Sequence, residues 1–147
     1  MCDVIIIGGM AAGCKVAARL SRLCPNYQIT IIEKSSFVSF SCCGLPMYAS
    51  GEVNDLSDLN KTSYGVIRDK KYFRQTKDTI VLTNTEVTGI DSEKKRIKCI
   101  DHEKEEEYEL TYDYLIIATG SDSIKPVFPF PQYSYFLSGW KRDFDLS

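Results

Sequence analysis

The sequence predicts an α/β fold in which a βαβ unit opens a parallel sheet and a small antiparallel β-meander follows it. Three observations carry that expectation: a strand, glycine turn, helix and strand between Val4 and Ile32, three β-rich runs separated by charged turns between Thr79 and Leu110, and an apolar run at Tyr114 to Ala118. With 147 residues, 44% of them apolar and 12% aromatic, the chain can bury one core and has no room for two domains of ordinary size.

Val4-Ile5-Ile6-Ile7 is an unbroken β-branched run, the pattern of a strand covered on both faces, and Gly8-Gly9 cuts it off. From Met10 to Cys24, small and apolar residues put Gly13, Val16, Leu20 and Leu23 on one helical face, and Pro25-Asn26 stops the helix. Ile29-Thr30-Ile31-Ile32 gives a second buried strand that ends at Glu33. This succession within about 30 residues is a βαβ unit, whose right-handed crossover makes the two strands parallel. Ser50 to Asn60 is polar and contains a glycine, and Thr62 to Lys77 has room for a helix or two, weakened by Gly65 and mixed charges.

The runs Thr79 to Ile90, Arg96 to Ile100 and Glu107 to Leu110, with charged turns at Asp91 to Lys95 and His102 to Glu106, read as the antiparallel meander. Tyr114-Leu115-Ile116-Ile117-Ala118, closed by Thr119-Gly120-Ser121, is a buried strand expected to return to the parallel sheet. Pro126 to Ser147 has three prolines spaced by aromatics and no period, so residues 1–126 are taken as one structural segment and 127–147 as an unassigned tail.

Eighteen basic against twenty acidic side chains give a formal charge of -2, which provides no global attraction to nucleic acid or an anionic membrane. The longest apolar runs fall far short of the roughly 20 residues that a membrane-spanning helix requires. The N-terminus runs straight into a strand without a basic leader, so a cytoplasmic protein is expected. Six cysteines, at 2, 14, 24, 42, 43 and 99, form no metal-type CxxC pair, and no metal site is expected. His102 falls in a charged hairpin tip and is a poor catalytic candidate.

Gly8-Gly9-Met10-Ala11-Ala12-Gly13 keeps the first and last glycines of the GxGxxG pattern and puts Met10 where the second would stand. The physical requirements survive: Gly8 and Gly9 permit the turn, Ala11 and Ala12 do not crowd a pyrophosphate, and Gly13 lets helix and strand pack. The helix N-terminus then presents N–H groups and a partial positive charge to phosphates. Glu33 lies 20 residues beyond Gly13 at the end of the second strand, where a carboxylate accepts hydrogen bonds from adenosine ribose hydroxyls. Together these features describe a Rossmann-like dinucleotide site that disfavours NADP, because a 2′-phosphate would meet the Glu33 charge, and leaves FAD and NAD open.

On the same helix Lys15, Arg19 and Arg22 follow i, i+4, i+7 spacing. Such a stripe is commonly a solvated face, and it equally suits a phosphate-rich second ligand. Cys43 comes ten residues after Glu33, which brings a thiol toward the redox end of a dinucleotide lying across the sheet edge. A short helix from Cys43 through Leu45-Pro46-Met47-Tyr48 would tolerate the proline in its first turn and favour a thiolate. Against this stands the plainer reading of Cys42 and Cys43 as two small buried residues.

Taken together, these segments resemble the pyridine nucleotide-disulfide oxidoreductase family, specifically its single-cysteine branch of coenzyme A disulfide reductases and NADH oxidases or peroxidases. The motifs are Gly8 to Gly13, Glu33, the block Ser39-Phe40-Ser41-Cys42-Cys43-Gly44-Leu45-Pro46, Thr85-Glu86-Val87, and Tyr112 to Ser121 with Ala118-Thr119-Gly120; the Ser39 to Pro46 block is the most specific. The resemblance covers about residues 1–126. It implies an FAD-binding unit in which Gly8, Gly9, Met10, Ala11, Ala12, Gly13, Glu33 and Lys34 hold the cofactor, Val87 lies against the adenine, and Ala118, Thr119 and Gly120 contact it. It makes Cys43 the redox nucleophile and gives Lys15, Arg19, Arg22, Ser39, Cys42 and Lys71 to coenzyme A. NADH or NADPH is the implied reductant, and a small-molecule disulfide or peroxide the implied acceptor.

Two departures stand out. The residue usual at position 42 is asparagine, so Cys42 removes a substrate hydrogen bond and adds a second thiol that could be inhibitory or auxiliary. The peroxidase branch carries a histidine in its glycine loop, whereas this loop reads Met10-Ala11-Ala12, which favours the coenzyme A branch. Family members also continue with an NADH domain, a second FAD segment and a dimerisation domain through which they form homodimers, for which these residues leave no room. The chain is therefore expected to be a fragment, a truncated product or a degenerate homologue that turns over NADH poorly or not at all alone. Its alternative roles are a non-catalytic FAD or coenzyme A binding module and a flavin-free NAD sensor.

Overall fold

The computed structural model of the chain describes residues Cys2 to Ser121; the boundary at 126 and the tail 127–147 lie outside the described residues. A four-stranded parallel sheet has the order β3-β2-β1-β7, formed by β1 (Cys2–Ile7), β2 (Tyr27–Ile32), β3 (Thr79–Leu82) and β7 (Tyr114–Ile117). An antiparallel meander of β4 (Thr85–Asp91), β5 (Arg96–Asp101) and β6 (Glu106–Thr111) forms a second sheet. The helices are α1 (Ala11–Leu23), α2 (Leu45–Ala49) and α3 (Lys70–Lys77).

Alternation along β1 and β2 divides the interior into two layers. Val4, Ile6, Ile29 and Ile31 join Val81 under the helices, against Cys14 and Ala17 of α1 and Phe73 of α3. Ile5, Ile7 and Ile32 turn the other way and pack on Ile97 and Cys99 of the meander. Both faces of the central strands are thus covered, which is why they read as continuous apolar runs. The pairing of Ile6 with Ile31 and of Ile7 with Ile32 keeps each layer in register.

Two local expectations are corrected, and a third is made definite. Helix α1 meets the sheet through Gly13, Cys14 and Ala17, with Val16 and Leu20 only partly buried and Leu23 59% exposed, because small residues allow the close approach. The run Thr79 to Ile90 is two strands rather than one: Asn84 adopts φ 54°, which breaks the run, so β3 joins the parallel sheet and β4 begins the meander. Between Thr62 and Lys77 there is one helix, α3, started by the Asp69 carboxylate accepting from Tyr72 N (2.8 Å) and stopped at Asp78 with φ 46°. The preceding residues form a turn in which Thr62 Oγ1 accepts from Val66 N (3.1 Å). The strand at Tyr114 does return to the parallel sheet, beside β1, but it is not buried: it ends the sheet order among the described residues, with Tyr114 59% and Ile117 63% exposed.

Glu86 on β4 accepts from Lys34 Nζ (2.7 Å) and lies 3.0 Å from His102 Nε2, and these two partners hold its carboxyl below the usual glutamate range. A depressed folded-state value means the pair contributes stability at neutral pH that is lost as the pH falls through that value. Glu86→Gln is therefore expected to lower the melting temperature at pH 7 by an amount worth under about 1 kcal/mol, given the exposure of all three groups, and to converge on the parent as the pH falls below the range in which the Glu86 carboxylate is ionised. Thermal unfolding across an acid pH series checks it.

Candidate functional site

The parallel strands end at a common edge, and the sheet order places β2 on one side of β1 and β7, reached from the meander, on the other. In open α/β sheets this switch point is where ligands bind, and here it holds the glycine loop. Gly8 follows β1 with φ 104°, and a Cβ on it would overlap the Ala118 carbonyl. A Cβ on Gly13 would overlap the carbonyl of Gly8 itself, so the first turn of α1 is seated directly on the loop. Cys14 Sγ donates to Gly9 O (2.9 Å), adding a second tie between helix and loop.

Glu33 is 8% exposed. Its Oε2 accepts from Gly9 N (2.6 Å) and its Oε1 from Ser35 N (2.9 Å), so the carboxylate spans the glycine loop and the segment after β2. Each oxygen keeps a further lone pair for an incoming hydroxyl. Thr85 N donates to Glu33 O (3.0 Å), which brings β4, and with it half-buried Val87, to the same end of the sheet. Ala118 N donates to Ile7 O (2.8 Å), and the Ala118-Thr119-Gly120 segment passes against Gly8. Lys34 points to Glu86 on this rim.

The residues fit a dinucleotide. Met10, the N-cap of α1, makes no side-chain cap hydrogen bond, the first turn carries no acid, and Ala11 and Ala12 are exposed. The first-turn N–H groups are thereby left to an outside acceptor such as a pyrophosphate. Because Glu33 Oε1 and Oε2 face two N–H donors, Glu33→Gln would set an amide NH₂ against one of them. It is expected to cost about 1–3 kcal/mol and to weaken FAD binding about tenfold or more, as a flavin titration would measure.

The thiol segment is fastened to this loop. Ser39, at φ 58°, donates its N–H to Gly9 O (2.7 Å), and Ser41 N donates to Leu59 O (2.9 Å). Phe40, Leu45 and Leu59 form a small core that Met10 of the glycine loop also touches, and a Cβ on Gly44 would overlap the Leu59 side chain. Cys42–Gly44 is a 3-10 turn that leads into α2, with Pro46 in the first turn of that helix. Among the six cysteines Cys43 is the exposed one. Cys14 and Cys99 are buried, and desolvation pushes both thiols up to about 11, which keeps them protonated at neutral pH. No disulfide joins any of the six.

Lys15, Arg19 and Arg22 are exposed along α1, and Lys71 is exposed on α3 in the same helical layer. The sequence reading did not single out Asn60, which follows the Leu59 that accepts from Ser41 N, or Arg68, whose N–H donates to Asn60 O (2.9 Å). Asn60 is 6% exposed with Oδ1 unpartnered among the described residues, and buried Arg68 Nε is in the same position, although Arg68 Nη2 donates to Lys61 O (2.8 Å). Asn60, at the end of the short 3-10 helix Leu56–Asn60, and Arg68, in the turn segment that follows, gave no periodic signal of that burial. Among the described residues no group of three or more His, Cys, Asp or Glu could hold a metal ion, and no helix is long and apolar enough to cross a membrane.

The family model of the pyridine nucleotide-disulphide oxidoreductases matches residues 2–142. The chain belongs to this family. Its members are FAD- and NAD(P)H-dependent oxidoreductases. The chain is 44% identical to an NAD-dependent persulfide reductase from A. fulgidus, with a TM-score of 0.81 over 84% of this chain and 23% of that one. An NADH oxidase of Methanocaldococcus jannaschii is 30% identical over 83% of this chain and 26% of the relative. A coenzyme A disulfide reductase of Staphylococcus haemolyticus is 31% identical over 82% of this chain and 26% of the relative. The chain thus spans about a quarter of the length of these oxidoreductases.

Proposed function

We propose that this oxidoreductase chain supplies the FAD-binding and thiol-bearing part, residues 1–126, of an NAD(P)H-dependent reductase of coenzyme A disulfide, with Cys43 as the redox nucleophile. The observation that carries the reading is the attachment of the exposed Cys43 turn to the glycine loop through Ser39 and Met10. The flavin, when bound, supplies electron-pair transfer between a pyridine nucleotide and a protein sulfur. The chain's residues do the rest. The N–H groups at the start of α1 take the pyrophosphate, Glu33 accepts from ribose hydroxyls, and Val87 and Ala118-Thr119-Gly120 line the remaining edge. Lys15, Arg19, Arg22 and Lys71, with Ser39 and Cys42, hold the phosphate-rich thiol carrier and bring its disulfide to Cys43. Cys43 attacks that disulfide as the thiolate, and one carrier thiol leaves. Cys43 alone suffices for this exchange because the substrate brings the second sulfur. The setting is cytoplasmic, where thiol pools need a reductant.

A second reading replaces the disulfide by a persulfide of the same carrier. The 44% identity to the persulfide reductase supports it. The test is a single turnover. The FAD-loaded chain is reduced anaerobically with dithionite and then given coenzyme A disulfide or coenzyme A persulfide. Return of the oxidised flavin colour with release of coenzyme A supports the proposal, and faster return with release of sulfide selects the persulfide. Flavin that stays reduced with both contradicts it.

A further inference from the structure

Adjacent cysteines are a demanding pair for a disulfide. Neighbouring Cα atoms lie about 3.8 Å apart across a trans peptide, whereas disulfides ordinarily span about 4.4–6.8 Å, so a bond between neighbours closes a small strained ring that is easily reduced. In this chain the two thiols sit in different surroundings. Cys43 is exposed, while Cys42 is half-buried against Phe40, Leu45 and Leu59, with Sγ 3.9 Å from Phe40 O. Successive positions of a 3-10 turn project about 120° apart, so the two side chains leave the backbone of the resting turn in different directions. The turn is short: Cys42–Gly44 spans 3 residues, α2 spans 5, and neither has a side-chain cap. Closing the ring needs Cys42 to leave its cluster, which is favoured once Cys43 carries a good leaving group.

We infer that Cys42 is a resolving thiol for Cys43, an inference that rests on the reading of Cys43 as the nucleophile. The Cys43 thiolate attacks a substrate disulfide R–S–S–R, forming Cys43–S–S–R and expelling one R–S⁻. The Cys42 thiolate then attacks Cys43 Sγ; the bond to R breaks, the Cys42–Cys43 bond forms, and a second R–S⁻ leaves. The two protons given up by the cysteines end on the two released thiols, and the two electrons withdrawn from the protein sulfurs reduce the one substrate disulfide. Both product thiols are therefore free before any external reductant acts. The strained ring is then reopened by a dithiol more readily than an ordinary disulfide would be. Cys14 and Cys99, buried and protonated, do not compete for the adduct.

The experiment uses the whole prereduced chain and its Cys42→Ser variant, each mixed anaerobically with coenzyme A disulfide and read by intact mass, released thiol and peptide mapping. The parent is expected to lose the mass of two hydrogens, carry no adduct, release twice as much coenzyme A as the variant, and map its new bond to Cys42 and Cys43. The variant is expected to keep coenzyme A on Cys43; Cys42→Ala gives the same comparison should the serine hydroxyl disturb the apolar cluster. A parent that retains the adduct as the variant does, or that closes a different cysteine pair, overturns the resolving role and leaves Cys43 as nucleophile. If the variant takes no adduct on Cys43, that reading falls and the resolving role falls with it.

Discussion

A chain carrying Cys43→Ser is expected to take up flavin and then fail to pass its electrons to a disulfide, with the anaerobic reoxidation of reduced flavin by coenzyme A disulfide slowed at least about a thousandfold. The reason lies in the nucleophile. A hydroxyl at this position is not ionised at neutral pH and forms no mixed disulfide. The two buried thiols do not substitute. Cys14 and Cys99 are buried and pushed up to about 11, so on the order of one molecule in ten thousand carries either thiolate at pH 7. Stopped-flow absorbance of the parent and the variant measures the difference. Reoxidation of the variant at the parent's rate would remove Cys43 from the chemistry.

The second large effect is expected at Gly13. A Cβ there meets the Gly8 carbonyl, a backbone atom held in place by the Gly8 N–H to Ile32 O bond (2.8 Å) and by Ala118 beside it. Neither side can yield by turning a rotamer, so helix and loop must separate. Gly13→Ala is expected to cost about 3 kcal/mol or more, a large share of the roughly 5–15 kcal/mol that holds a domain together, and to abolish flavin uptake in whatever remains folded. Gly89→Ala is the control. Its Cβ meets only the Lys98 side chain at 3.8–3.9 Å, and a change within about 0.5 kcal/mol is expected. Urea unfolding of the two variants separates a steric demand at Gly13 from a general penalty for altering glycines. Equal losses would contradict the account of the loop.

The parts of this arrangement that depend on local pattern were legible before the coordinates. Val4 to Ile7 and Ile29 to Ile32 are apolar at every position or nearly so because both faces are covered, and the positions of Gly8, Gly13 and Glu33 follow from the needs of a turn, a close packing and a strand end. What was hidden depends on one backbone angle or on distant partners. Asn84 at φ 54° decides that Thr79–Leu82 and Thr85–Asp91 are separate strands in separate sheets, and a Thr-Asn-Thr step inside a β-rich run does not announce it. Leu23 was placed in the core by helical spacing, but α1 approaches through Gly13, Cys14 and Ala17, and spacing alone does not say which of two neighbouring faces wins. At the site, the exposure of Cys43 against the half-burial of Cys42 came from the packing of Phe40, Leu45 and Leu59, residues up to 19 positions apart. The burial of Asn60 came from the same packing and had no sequence signal.

The measurement that bears most directly on the central claim is the visible absorption spectrum of the purified chain after FAD is supplied and free flavin is removed. The glycine loop, the open start of α1 and the Glu33 carboxylate predict a retained oxidised-flavin band that is weakened by Glu33→Gln and lost in Gly13→Ala. A parent chain that comes away colourless would contradict the assignment of this sheet edge as a flavin site, whatever Cys43 does by itself.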